Sequence, residues 1–395
     1  MLGLFIENVM TKQPSIRFLR PMGIVLIVLG AALFLSVGVL LVQPANATPL
    51  LSPQELPQNE ACLTCHNRPD FQLPLPNGET LSLIIDRDHY RDSVHSTVEC
   101  TACHTNISQF PHSDLTAQSV RDFSLEMYTV CQQCHAEQYD LTLDSVHQKV
   151  LAAGNTNAAI CTDCHDPHTQ SPLTDSNGDL LPEARLQIPQ KCAQCHSAIY
   201  DLYAQSVHGA ALTVENNQDV PTCIDCHGIH NIEDPTTTSF YLNSPLLCAT
   251  CHTDAAIMEK YGISTNVLDT YVADFHGTTV TLFETQSPDQ ATNKPVCITC
   301  HGVHNIMRVD DPVYGLEMKQ NLLARCQTCH PEATSNFPDA WMSHYIPSPE
   351  NYPIVYYVTL FYKFFIPGVL GPMAVFVVSD VIRRLIERRK GAKRA

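Results

Sequence analysis

Residues 206–252 carry Ser206-Val207-His208, then Cys223-Ile224-Asp225-Cys226-His227-Gly228-Ile229-His230, then Cys248-Ala249-Thr250-Cys251-His252. The layout is an upstream histidine, a C-x-x-C-H, a further histidine, and a second C-x-x-C-H. Three other segments share it. Their upstream histidines sit in Ser93-Val94-His95, Ser145-Val146-His147 and Asp274-Phe275-His276, and their inner histidines are His112, His168 and His304. The inner spacing is C-x-x-C-H-x-x-H in three of the four repeats and is stretched to Phe110-Pro111-His112 in the first. A lone motif, Cys62 to His66, precedes the array, and Ser343-His344 closes it. A repeat of this kind governs the architecture and is read before single elements.

Every one of the 18 cysteines belongs to such a motif. The pairs are Cys62/Cys65, Cys100/Cys103, Cys131/Cys134, Cys161/Cys164, Cys192/Cys195, Cys223/Cys226, Cys248/Cys251, Cys297/Cys300 and Cys326/Cys329. The histidines that follow are His66, His104, His135, His165, His196, His227, His252, His301 and His330. C-x-x-C-H is the attachment signature of c-type haem. Two thiols one helical turn apart reach the two vinyl groups of one porphyrin edge, and the next residue brings an imidazole under the iron. Structural zinc takes two C-x-x-C pairs per metal and needs no histidine after each. A C-x-x-C disulfide closes a tiny loop and removes little chain entropy. The spacing therefore predicts nine covalently bound c-type haems.

Ten of the 19 histidines lie outside the motifs. Five are of the upstream kind (His95, His147, His208, His276, His344) and four are inner (His112, His168, His230, His304), which makes nine candidate distal ligands. His89 is left over. Methionine is the competing distal ligand and raises the potential, but the nine methionines do not follow the repeat. Bis-histidine irons have no open position, which points to electron transfer and away from catalysis. Order along the chain does not say which distal histidine serves which haem. The short C-x-x-C-H-x-x-H spacing predicts that its second histidine reaches a neighbouring haem.

Three regions follow: a signal peptide or N-terminal membrane anchor at 1–47, a nonahaem domain at 48–352, and a C-terminal transmembrane helix with a basic cytoplasmic tail at 353–395. Lys12, Arg17 and Arg20 precede an apolar run from Gly23 to Val42 and then Ala45-Asn46-Ala47. That is an export signal, whether cleaved or retained. The last region is apolar from Ile354 to Val378 with one charge, Lys363, which can snorkel near the outer interface. It ends in Arg383, Arg384, Arg388, Arg389, Lys390, Lys393 and Arg394, a positive-inside signal for a cytoplasmic end. The haem domain is thereby expected on the periplasmic or extracellular side of the cell membrane. It holds 12 Lys and Arg against 37 Asp and Glu, a surface that disfavours nucleic acid. With roughly 34 residues per motif, the haems themselves are expected to form the apolar centre. The expected fold is mostly coil with short α-helices packed around a haem array, plus one or two transmembrane helices. Val120–Tyr128 and Ala255–Tyr261 look like such short helices. The Asp175-Ser176-Asn177-Gly178-Asp179 stretch reads as a polar turn, since Leu180 and the absence of a twelfth-position glutamate break the calcium-loop pattern.

The motif order resembles that of the membrane-anchored multihaem cytochromes c of bacterial respiration, from Cys62 through Ser343-His344 to the tail beginning Tyr352-Pro353. The resemblance implies distal ligation by His95, His147, His168, His208, His230 and His304. Asp274-Phe275-His276 departs from it by lacking the serine, and His112 by its spacing. It further implies electron relay between a quinone-linked membrane partner and periplasmic or extracellular redox partners. One or two helices are too few to hold a quinone pocket and a b-type haem pair, so an integral-membrane quinone-reactive subunit is the expected partner. The alternative is a multihaem reductase of a small nitrogen or sulfur oxyanion with one open haem site. A polymerising extracellular conduit fits the haem density but not the membrane tail.

Overall fold

The computed structural model describes residues 57–113, 116–286, 290–341 and 344–392. The export or anchor segment, residues 48–56 of the haem domain and Ser343 lie outside them.

Helices occupy about 55% of the described residues. The chain is mostly helical, and the expectation of a mostly coil fold understates this. The reason lies in the motifs: each C-x-x-C-H is itself a helical turn, and the segments between motifs are used twice, once to approach a motif and once to present a distal histidine. The even-numbered motifs are short helices standing alone, at Cys100–Cys103, Cys161–Cys164, Cys223–His227 and Cys297–His301. The odd-numbered ones end longer elements, such as Pro182–Ala193, Thr238–His252 and Lys319–Gln327. Val120–Met127 is helical, and Ala255–Met258 continues as a 3-10 turn through Tyr261, as their sequences predict. One antiparallel hairpin pairs Gln72–Pro74 with Thr80–Ser82. The 175–179 stretch is a turn in which Asp175 accepts from the backbone of Asn177 and Asp179.

Caps set the starts of the motif helices. Asp163, Asp225 and Thr299, the third residues of their helices, accept from the N–H of Ile160, Thr222 and Val296 at 2.7, 2.6 and 3.0 Å. Arg121 then grips Asp163 at 2.9 Å, and Arg185 grips Asp225 at 3.2 Å, each from a helix about 40 residues earlier. After His227 and His301 the chain turns at Gly228 and Gly302, with φ of 79° and 85°. A Cβ at either place would meet the Asn231 or Asn305 side chain at 2.9 or 2.6 Å, so glycine is required there.

Packing between helices is thin. Leu242, Val280 and Val296 make a buried cluster flanked by Tyr241, Phe283 and Ile298, joining three helices around the seventh and eighth motifs. The other buried apolar residues, such as Leu63, Ile160 and Leu212, are dispersed along the chain. The last helix, Pro353–Ala392, packs on nothing. An 18-residue window within its 353–390 stretch has a mean hydropathy of 1.9, and this is the one helix among the described residues long and apolar enough to cross a membrane.

Candidate functional site

Numbering the sites by motif, each motif histidine faces one histidine from outside the motifs. Ring centroids stand 6.1 Å apart in site 1 (His66, His112) and site 2 (His104, His168), and 6.2 Å in site 3 (His135, His95). They stand 6.3 Å apart in site 4 (His165, His230), 6.2 Å in site 5 (His196, His147) and 6.1 Å in site 6 (His227, His304). Sites 7 (His252, His208), 8 (His301, His344) and 9 (His330, His276) have 6.3, 6.3 and 6.4 Å. A ring bound through one nitrogen about 2 Å from a metal has its centroid roughly 1 Å further out, so two rings on opposite faces of one ion stand roughly 6 Å apart. The spacing fits one iron between each pair. Among the described residues no group of three His, Cys, Asp or Glu converges as a zinc or carboxylate site would require; the histidines come in twos.

The two thiols of each motif differ in how far the polypeptide encloses them. The first cysteine of every motif is half-buried, but the second is exposed in seven of the nine: Cys65, Cys103, Cys134, Cys164, Cys195, Cys226 and Cys329. The cause is the helical turn itself. It aims the first thiol at a neighbouring segment and leaves the second at the helix end, where little protein packs. Cys251 and Cys300, the two half-buried exceptions, belong to helices around the Leu242–Val280–Val296 cluster. At Cys65, Cys134, Cys195 and Cys329 the polypeptide alone therefore supplies no enclosing wall, and their place in a haem site rests on the spacing of the motif.

The pairing is not local. His168, three residues beyond the fourth motif, faces His104 of the second, and His230 and His304 likewise reach back by one repeat. The upstream histidines reach forward to the second motif of their own repeat. His89 belongs to no pair: it is exposed and lies 3.8 Å from Asp86.

Proton placement suits ligation. His66 Nδ1 lies 2.8 Å from the Leu83 carbonyl, His95 Nδ1 2.8 Å from that of Pro167, and His112 Nδ1 2.9 Å from that of Ser113. A carbonyl only accepts, so Nδ1 carries the proton and Nε2 keeps its lone pair. Burial holds His104, His147, His168, His227, His230, His252, His304 and His344 below the ordinary imidazole value. Burial, with the partner ring adding to it, pushes His208 and His301 down to about 4. At neutral pH these rings are uncharged, the form that binds metal.

Ser145 and Ser206 of the repeat are buried helix caps. They accept from the N–H of Gln148 and Gly209, starting the one- or two-turn helices that present His147 and His208. Asp274, where the serine is missing, caps the helix of His276 in the same way through Gly277 N–H at 3.0 Å. Its other oxygen accepts from Trp341 Nε1 at 3.0 Å. The departure at 274 therefore keeps the cap and adds a bond. Replacing Asp274 by alanine is expected to cost about 1–2 kcal/mol in denaturant unfolding, with Asp274→Ser recovering roughly half of it. Equal stability of all three proteins would show that the cap contributes nothing.

Two further contacts were not read from the sequence. The residue before each upstream histidine donates its N–H to the carbonyl two residues beyond an inner one: Val94 to Gln170, Val146 to Ile232 and Val207 to Ile306, each at 2.8 Å. Three residues before the cap, Tyr90, Tyr203 and Tyr271 donate to the carbonyls of Val98, Pro221 and Pro295 at 2.8, 2.8 and 2.9 Å. Each acceptor lies two residues ahead of a motif. The recurring tyrosine is visible in the sequence at three of four repeats, with Thr142 in the other. Tyr203→Phe is expected to lower unfolding stability by about 1 kcal/mol, and no change would remove the bond from the account. Asn59, fully buried, ties the first motif to the second by donating to Val98 and accepting from Cys100 N–H.

No family model, curated protein or solved structure matches this chain.

Proposed function

We propose that this chain is a membrane-bound nine-haem c-type cytochrome that relays electrons between a quinone-linked integral-membrane partner and periplasmic or extracellular redox partners. The observation that carries the reading is the set of nine imidazole pairs, each joining one motif histidine to one histidine from elsewhere. The motif cysteines, all free thiols in the chain itself, would hold each haem by thioethers, and the paired imidazoles would fill both axial positions. Haem supplies a reversible one-electron couple when bound. The protein's part is to fix neighbouring pairs at close range and to keep both axial faces occupied. A reductase needs an iron with one face open, and each motif histidine here has an opposing ring.

The C-terminal helix supports the membrane half of the reading. About 20 of its residues cross a hydrocarbon layer of about 30 Å. Tyr356, Tyr357 and Tyr362 stand at the end nearer the haem domain, where an aromatic belt meets the interface. The Arg383–Lys390 end would then face the cytoplasm.

The test is the electron paramagnetic resonance spectrum of the oxidised protein with and without nitrite. Low-spin signals alone, unmoved by nitrite, are expected. A high-spin signal that shifts with nitrite would put the reductase reading in its place.

A further inference from the structure

Neighbouring sites are joined by two kinds of contact that alternate along the chain. The segment that leads into each odd motif is bonded to the next even motif: Asn59 accepts from Cys100 N–H at 2.9 Å, Arg121 pairs with Asp163 at 2.9 Å, Arg185 pairs with Asp225 at 3.2 Å, and Tyr241 Oη lies 2.8 Å from Thr299 Oγ1. These join sites 1–2, 3–4, 5–6 and 7–8.

The other junctions are made differently. These join sites 2–3, 4–5, 6–7 and 8–9. Hydrogen bonds close them on the distal side. His95 of site 3 bonds the Pro167 carbonyl beside His168 of site 2. The Val146–Ile232 and Val207–Ile306 bonds tie His147 to the segment of His230, and His208 to that of His304. Trp341 Nε1 on Asp274 ties the helix of His276 to the segment of His344. None of these contacts joins sites that are not consecutive.

The two ends differ. Phe337 packs on His330 with centroids 5.1 Å apart, and Trp341 meets His344 edge-on at 6.2 Å. Tyr352 Oη reaches the Trp341 carbonyl at 3.4 Å, and the membrane helix starts at the next residue. Sites 8 and 9 are thus held by the segment that enters the membrane helix. At the other end, His112 is the one exposed residue of the nine distal histidines, and its Nδ1 partner is merely the carbonyl of Ser113.

Resting on the nine-haem reading, we infer that the sites form one unbranched line in sequence order, with sites 8 and 9 at the membrane helix and site 1 the place of exchange with a soluble redox partner. Electrons moving between membrane and partner pass every site, and a basic partner meets an acidic domain at its first site.

Two measurements on the full chain test this. An electron-microscopy map of the protein in a lipid nanodisc is expected to show nine irons in one row, with the iron of site 1 farthest from the helix. An iron with three near neighbours, or site 1 beside the helix, would overturn the line. The kinetic arm mixes the fully reduced chain with an oxidised, small, basic monohaem cytochrome c in a stopped-flow instrument. Methionine ligation raises a haem's potential, and for a one-electron step about 59 mV is a factor of ten. His112→Met is expected to slow the first electron out by about tenfold. An unchanged rate would place exit elsewhere and overturn the proposal. The haem-to-protein ratio of each protein keeps the two readings apart. Fewer than nine haems in the unaltered chain would sink the cytochrome reading, whereas nine haems in a branched array would sink the line alone.

Discussion

Produced in cells that lack the machinery for covalent haem attachment, the chain is expected to show no cooperative unfolding transition. The argument is one of surface. Its clustered core, Leu242, Val280 and Val296 with their flanking residues, spans three helices near the seventh and eighth motifs, and the remaining buried apolar residues are dispersed. Ordering a residue costs about 1–2 kcal/mol in backbone entropy alone, and burial returns only about 25 cal/mol per Å² of apolar surface. A domain with so few large buried side chains does not meet that cost from its own atoms. Many of its helices are of one or two turns, too short to persist alone in water. On the proposed reading, nine porphyrins supply the missing apolar surface, and two axial bonds at each clamp segments distant in sequence. The measurement is thermal melting followed by circular dichroism, on haem-loaded and haem-free protein. A sharp melt of the haem-free chain would show that the polypeptide is its own core.

His230→Ala is expected to convert one haem to high spin, and that haem to be the fourth, attached at Cys161 and Cys164. His230 lies three residues from the sixth motif's His227, yet its ring faces His165 with centroids 6.3 Å apart. Removing the imidazole leaves one axial face of that site without a ligand, and water or nothing takes its place. The high-spin signal should account for about one iron of the nine, with low-spin intensity falling by the same share. The variant His304→Ala should act in the same way on the sixth haem, attached at Cys223 and Cys226, through the 6.1 Å pair of His227 and His304. Attribution comes from combining His230→Ala with His165→Ala, which removes both ligands from one site. The doubly altered protein should then show one altered haem, whereas combination with His227→Ala should show two. If His230→Ala instead alters the sixth haem, the pairing between repeats is wrong.

Some of this protein was legible in its residues alone. The C-x-x-C-H motif is complete within five positions, so its chemistry does not wait on a fold, and nine copies with no cysteine left over admit one reading far better than zinc or disulfides. The same holds for the apolar run from Ile354 to Val378 and its arginine end, where length and composition are enough to expect a membrane helix. His95, His112, His147, His168, His208, His230, His276, His304 and His344 stood out because they recur in register with the motifs. Which of them faces which motif histidine did not, because partners lie 40 to 77 residues apart in chain order. That choice is made by nonlocal bonds: Val207 on Ile306, Tyr203 on Pro221, Arg185 on Asp225. Each involves a backbone carbonyl or a common carboxylate, groups with no sequence signature of their own. The exposure of Cys65, Cys134, Cys195 and Cys329 was equally hidden, because the motif has the same letters whether or not a neighbouring segment covers its second thiol. Asp274 shows the same limit from the other side. By sequence it breaks the serine rule; in three dimensions an aspartate oxygen caps a helix as a serine does, and its second oxygen holds Trp341 at the entrance to the membrane helix. Local covalent chemistry was written in the sequence, while the partner of each ring was decided by hydrogen bonds that exist only once distant segments have met.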